Sequence, residues 1–343
     1  MAEKLDESIC GFGAAIMLKQ LAAINAEIQG VQAATDIECI HRMRVASRRL
    51  RAAQEFFNIC LPGGKAGKFE KAIRLITGSL GKARDLDIQS DSFRKFQILA
   101  DQAVYQPGYK RLLLRLYQRR NLAQQEVIAS VIQINSNPVI NRVEELLSKF
   151  SPLENRKSFS ISLRILAHNA IMDKLNKFLS YEPFVHSPEK KMELHAMRIA
   201  AKKLRYTLEI FAPIFPGELN NWIKGIRQFQ DQLGEIHDCD VWIEFLPFFL
   251  ETERVFTIDY FGHTRSYNRI IPGIMIFHEN RQSTRQRIYQ EFVSSWDSMQ
   301  KKHTWERLSD HLDQNFPVER TRTLHIERTA KNLEENDENS IDQ

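Results

Sequence analysis

Three observations predict an all-α protein that is internally duplicated. Gly and Pro, which punctuate β-rich chains, number only 14 and 11 in 343 residues. Apolar residues recur every three to four positions over long stretches, the period of a helix with one buried face. The segment His41-Arg-Met-Arg-Val-Ala-Ser-Arg-Arg-Leu-Arg51 returns 154 positions later as His195-Ala-Met-Arg-Ile-Ala-Ala-Lys-Lys-Leu-Arg205.

The repeat continues beyond that segment. Leu61-Pro62-Gly63 falls on Phe215-Pro216-Gly217. One residue out of step, Lys71, Arg74, Leu80, Gly81, Asp85 and Asp87 fall on Lys224, Arg227, Leu233, Gly234, Asp238 and Asp240. Further on, Pro107-Gly108, Arg120 and Glu126 fall on Pro272-Gly273, Arg285 and Glu291. Order is kept throughout, as a duplication requires. The halves are expected at 8–150 and 151–305, with the boundary inside 136–157, where Pro138 and Pro152 lie.

Each half reads as a series of helices. In the first they are expected at 12–30, 36–60, 66–82, 84–105 and 109–134. In the second they are expected at 158–180, 189–212, 218–235, 237–256 and 273–301, with a last piece at 303–314. Pro62-Gly63-Gly64, Pro107-Gly108, Pro216-Gly217 and Pro272-Gly273 mark the breaks, because Pro lacks the donor a helix needs and Gly lacks stiffness. Short connections favour antiparallel neighbours and hence a bundle. Residues 317–343 are expected to be a disordered acidic tail.

With 43% hydrophobic residues the chain can bury a core in each half. The net charge of +5 conceals an asymmetry: residues 331–343 set one Lys against five acids, which leaves +9 on the rest. A positive body suits an anionic partner. Cys10, Cys39, Cys60 and Cys239 show neither Cys-x-x-Cys nor zinc spacing, and are expected to be unpaired apolar residues in a reducing compartment. The apolar stretch from Ile9 to Leu18 follows two acids and stops at Lys19, unlike a signal peptide. No segment is expected to reach the ~20 apolar residues of a membrane span, so no membrane partner is expected and the location is expected to be cytoplasmic.

On a helix, His41, Arg44, Arg48 and Arg51 stay within an arc of about 80°, with Met43, Ala46, Leu50, Ala53 and Phe57 gathered opposite. His195, Arg198, Lys202 and Arg205 repeat the arrangement against Met197, Ala200, Leu204 and Phe211, and Arg49 and Lys203 flank the two stripes. Each stripe rises ~15 Å, long enough for several anionic groups in a row. An ordinary solvated face alternates sign to gain Glu–Lys pairs, yet no acid lies between residues 41 and 54 or between 194 and 208. The two copies share only eight of seventeen residues over 41–57, while every Arg or Lys position of the stripes stays cationic. That pattern favours binding over a bland surface. His41 and His195 are expected to contact the anion, becoming protonated beside it.

Leu80-Gly-Lys-Ala-Arg-Asp85-Leu-Asp87 and Leu233-Gly-Glu-Ile-His-Asp238-Cys-Asp240 place an Asp-x-Asp beside a Gly at an expected helix junction. Capping, pairing with Arg or Lys, and metal binding compete for these acids. Capping or pairing is favoured, because a metal needs more oxygen ligands than the spacing declares; no metal and no cofactor are expected. Lys71 with Arg74, and Lys224 with Arg227, share a helix face and extend the positive surface, and Arg120 and Arg285 are expected to do so too. Phosphate-loop, dinucleotide and nucleophile motifs are absent from the sequence, so no enzyme activity is expected.

The basic helix followed by Leu-Gly-x-x-x-Asp-x-Asp, with both repeated, resembles the CHAD domain, the conserved histidine α-helical domain, over roughly residues 8–305. The resemblance implies a pair of four-helix bundles related by pseudo-twofold symmetry, with basic helices lining a central groove or pore. It also implies binding of inorganic polyphosphate and localisation to polyphosphate granules. The positions carried over are His41, Arg44, Arg48, Arg49 and Arg51, with His195, Arg198, Lys202, Lys203 and Arg205. The first acidic motif departs from the commoner His-Asp form, having Arg84 where the second has His237. The fused triphosphatase domain of some members, with its Glu-x-Glu-x-Lys strand, has no counterpart motif here, so the chain resembles the stand-alone form. Nucleic acid is the rival partner; against it, no aromatic residue lies on the stripe arc, although Tyr206 is adjacent. A third alternative is a metal-dependent phosphohydrolase using the two Asp pairs with His41 and His195.

Overall fold

Where the sequence changes from apolar periodicity to Pro-Gly or a capping residue, helices begin and end. The computed structural model describes residues 7–34, 36–61, 63–150 and 159–314, and all regular structure among them is helical. In order, the α-helices are α1 (Glu7–Ala33), α2 (Ile37–Phe57), α3 (Lys65–Leu99), α4 (Gln106–Asn135), α5 (Pro138–Leu147), α6 (Ile161–Leu179), α7 (Lys191–Phe211), α8 (Asn220–Phe261), α9 (Arg265–Asn268), α10 (Ile271–Lys301) and α11 (Thr304–Gln314). Asp36 caps α2 by accepting from the Glu38 N–H at 2.8 Å, and Ser160 caps α6 by accepting from the Leu163 N–H at 3.2 Å. The turn before α3 uses Gly63 and Gly64 at φ 71° and 70°, a conformation other residues avoid. Pro62 and the acidic segment 317–343 lie outside the described residues.

Three elements depart from the sequence expectation. The junctions expected near 82–84 and 235–237 do not exist: α3 runs on through Gly81, and α8 runs on through Gly234 and accommodates Pro247. A helical Gly costs only ~1 kcal/mol. Leu80, Ala83 and Leu86, and likewise Leu233, Ile236 and Cys239, are buried on either side of it, so packing outweighs that cost. The third is α5, in the stretch read as a boundary. Asn137 caps it through the Val139 N–H, Pro138 starts it, and Ile140, Val143 and Leu147 bury one side.

The chain divides into two compact units, cut differently from the sequence halves. The first comprises the described residues of Met1–Arg156 and Asp231–Phe292, the second those of Lys157–Gln230 and Val293–Gln343. The division falls inside α8 and α10. Within the first unit α1 and α2 pack along their length, Gly13 giving way to the Phe57 ring, where any added methyl group would collide. Phe93, Phe96, Tyr109, Trp242 and Phe277 form its aromatic core, with Phe93 4.8 Å from Phe277 and 5.4 Å from Tyr109 between centroids. The first turns of α4 and α10 cross at Gly108 and Gly273, each so close to the other helix's leading turn that a Cβ would strike backbone. Within the second unit, Phe178 packs against Trp296 at 5.6 Å and Trp305 at 5.5 Å, with Phe229 alongside, and the Trp222 indole donates to the Thr304 carbonyl at 3.0 Å.

Two sequence expectations are corrected here. Cys10 and Cys60 form a disulfide, with Cα atoms 5.4 Å apart, leaving Cys39 and Cys239 as buried thiols. Spacing could not signal it, because the pairing comes from packing that sets the start of α1 beside the end of α2. Moreover, α1 is long and apolar enough to cross a membrane by length and composition, since it continues past Lys19 into a second apolar stretch. Its Met17, Leu21, Ile24, Ile28 and Val31 are buried in the first unit.

The disulfide closes a 50-residue separation. Reduction, or Cys60→Ser, is expected to lower stability by about 2–4 kcal/mol. Urea denaturation with and without reductant checks this, and non-reducing intact mass reports whether two hydrogens are missing.

Candidate functional site

The two cationic stripes lie on α2 and α7, and the helical period sorts their residues as the sequence implies. On α2, Met43, Ala46, Leu50, Ala53 and Phe57 are buried, while His41, Arg44, Arg48 and Arg51 are all half-buried. On α7, Met197, Ala200, Leu204 and Phe211 are buried and His195, Arg198, Lys202 and Arg205 are half-buried. The flanking Arg49 and Lys203 are exposed, as are Lys71, Arg74, Lys224 and Arg227. The α2 stripe belongs to the first unit and the α7 stripe to the second.

In the first unit the acidic motif touches the stripe. Arg44 donates through Nη2 to Asp85 Oδ1 at 3.3 Å, and its Nε lies over Gly81 of α3. One turn before the stripe, Glu38 accepts from Arg84 at 3.3 Å. Asp85 is 62% exposed, so this contact is a loose one. Asp87, two residues on, faces the other way and is 9% exposed. It accepts from Arg120 Nε of α4 at 2.7 Å; Arg120 Nη1 donates to Gln124, whose amide donates to the Val31 carbonyl of α1. The same pair recurs between α8 and α10, where Arg285 Nε donates to Asp240 Oδ1 at 2.6 Å, both side chains being largely buried.

Mid-helix positions remove N-capping from the roles open to these acids, and pairing is what the geometry shows for Asp85, Asp87 and Asp240. Arg120 and Arg285, expected to widen the positive surface, instead brace helices together. The reason is angular: residues two apart on a helix point about 200° apart, so an Asp-x-Asp addresses two different neighbours.

In the second unit the stripe ends on a clamp. Arg205 donates to Gln230 at 2.8 Å and to Glu209 at 2.6 Å, and its guanidinium carbon lies 4.7 Å from the centroid of the Tyr206 ring, with Tyr206 itself buried. Arg227 reaches the same Glu209 at 3.6 Å. Glu209 went unnoticed in the sequence because it lies just past the acid-free window. Its spacing of four from Arg205 was the available signal.

Burial and the neighbouring Arg84, Arg44 and Arg42 hold His41 below the ordinary imidazole pKa, against the opposing pull of Glu38. Burial, Arg198 and Lys202 do the same to His195. Both imidazoles are therefore neutral near pH 7. His41 Nδ1 is buried without a hydrogen-bond partner among the described residues.

A sequence model of the CHAD domain matches residues 15–247, a span that takes in both stripes and both acidic pairs. The fold is similar to the crystal structure of the CHAD domain from the plant Ricinus communis, with a TM-score of 0.55 and 20% identity over 84% of this chain and 94% of that one. It is also similar to PptA from Streptomyces chartreusis, with a TM-score of 0.58 and 14% identity over 84% of this chain and 99% of that one. At such identities the likeness is one of fold. Comparison of the sequence with curated proteins returns no match.

The two acids of the first motif are expected to differ sharply on substitution. Asp87→Ala strands a half-buried Arg120 and is expected to cost about 3 kcal/mol, and Asp240→Ala the same, whereas Asp85→Ala is expected to cost under ~1 kcal/mol. Urea denaturation midpoints at constant slope check the ranking.

Proposed function

Because the chain belongs to the CHAD family, we propose that it binds inorganic polyphosphate through the α2 and α7 stripes and performs no chemistry of its own. The observation that carries this reading is the common state of the eight stripe residues: half-buried, on one helix face, opposite a closed core. Bidentate Arg contacts and Lys point charges suit a polymer whose every unit is a phosphate. Internal duplication and pseudo-twofold related bundles belong to the same proposal. Their support is the equivalence of Asp87–Arg120 with Asp240–Arg285 and the meeting of Gly108 with Gly273. A repetitive site then matches a repetitive ligand, and attachment to polyphosphate granules would follow from the affinity.

Nucleic acid shares the electrostatics but fits the stripes less well. Tyr206, the aromatic residue next to the α7 stripe, is buried under Arg205 and offers no face on which a base could stack. The phosphohydrolase alternative would need free carboxylates, and Asp87 and Asp240 hold arginines.

Isothermal titration with long-chain polyphosphate is the direct test. Saturable binding is expected, weakening on the order of a thousandfold between about 50 and 200 mM salt as counterions are released. The variant with Arg44, Arg48, Arg198 and Lys202 all replaced by Glu is expected to lose binding while circular dichroism stays unchanged. Absence of binding by the wild-type protein at low salt, or stronger binding of RNA at equal phosphate concentration, sinks the proposal.

The depressed histidines add a pH signature. A histidine whose folded pKa lies below its unfolded value makes the unfolded state the better proton binder, so the free protein is expected to lose stability as pH falls below about 6.5. A bound polyanion offsets Arg42, Arg44 and Arg84 around His41, and Arg198 and Lys202 around His195, and draws the proton on. Affinity is therefore expected to rise between about pH 7.5 and 5.5. Titrations of His41→Gln with His195→Gln are expected to show that rise flattened.

A further inference from the structure

A group of charged and aromatic side chains in the first unit shares no residue with the stripes. Between α4 and the last turns of α8 is a cleft of about 470 Å3, a volume within the range of small-molecule sites. One wall is cationic and fixed. Arg111 and Arg115, one turn apart on α4, both donate to Glu253 of α8 at 2.5 Å, and that carboxylate is only 2% exposed. Two guanidinium groups on one buried carboxylate leave a net positive charge. Each Arg has five N–H donors, and the bonds to Glu253 and from Arg115 to Gln118 engage three of the ten.

The other wall is aromatic. Phe256, Tyr260 and Phe261 line the cleft with exposures of 53%, 82% and 53%, a concentration of uncovered rings that soluble surfaces seldom carry without a use. Asp259 and the buried Thr257 complete the lining. The three features select three chemical groups in one molecule. The rings want a flat π-face, the Arg pair wants a phosphate, and Asp259 wants hydroxyl donors while repelling surplus negative charge. A bare phosphate chain would leave the rings wet and meet Asp259, and an apolar segment would leave the guanidinium donors without acceptors.

We propose that this cleft binds a nucleoside phosphate, the base stacking on Tyr260 and its neighbours, the ribose hydroxyls donating to Asp259 and the phosphate accepting from Arg111 and Arg115. The same chemistry is presented by a free mononucleotide and by the phosphorylated end of an RNA strand.

Titration of the full chain with adenosine monophosphate tests it. Saturable binding is expected, with adenosine alone and inorganic phosphate alone each at least about tenfold weaker, since each meets one wall only. Tyr260→Ala, at a position too exposed to threaten folding, is expected to weaken binding about fivefold or more. Arg115→Lys keeps a charge beside Glu253 but loses the planar fork, and is expected to weaken binding too. The stripe variant with four glutamates is expected to bind adenosine monophosphate normally, which separates this proposal from polyphosphate binding. A 5′-phosphorylated oligonucleotide binding more tightly than the mononucleotide assigns the site to strand ends, and equal affinities assign it to free nucleotide. No binding at millimolar adenosine monophosphate, or binding that survives Tyr260→Ala and disappears in the stripe variant, overturns it.

Discussion

A row of like charges held half out of water on one helix face has to be anchored by what lies on the opposite face. On α2 and α7 the neighbouring cations repel by ~0.2–0.5 kcal/mol per pair, while each fully buried Met, Leu or Phe beneath them contributes about 1.5–3 kcal/mol. Met43, Leu50 and Phe57 on α2, and Met197, Leu204 and Phe211 on α7, are all fully buried. Core packing therefore wins comfortably. The neutral histidines express the same balance, since adding a proton to His41 or His195 would add a charge to a face already crowded with them.

The carboxylates divide between bracing helices and pairing with stripe residues. Asp87 and Asp240 are turned away from solvent onto Arg120 and Arg285, where they tie helices together. Asp85, Glu38 and Glu209 meet the cationic rows from a neighbouring helix or from their ends. The two buried Asp–Arg braces thus lie on α3, α4, α8 and α10, while the cationic rows lie on α2 and α7. The cleft formed by Arg111, Arg115 and the α8 aromatics follows a related rule: one buried Glu253 organises two cations and leaves donors over.

Much of this was legible in one sequence because helical period converts spacing directly into angle. That is why the stripe residues and their buried partners were sorted correctly on both α2 and α7, and why caps and Pro-Gly breaks located most helix ends. The same local logic misplaced the junctions at Gly81 and Gly234, where packing on both sides carries a helix through a weak residue. It also gave Arg120 and Arg285 to the surface, since nothing local says that Asp87 and Asp240 lie within reach. Tyr260 and Phe256 drew no notice, because an aromatic at helical spacing reads as core until its exposure is known.

The sequence by itself determined that the chain is helical, that two helices carry matching cation rows, and that those rows oppose apolar faces; each of these depends only on residues a few positions apart. Tertiary structure alone decided which acid holds which arginine, that Cys10 meets Cys60, and that Arg111 and Arg115 converge on Glu253. Those partners stand 33, 50 and about 140 residues apart along the chain, and at such separations contact is set by how whole helices pack rather than by any periodicity a sequence displays.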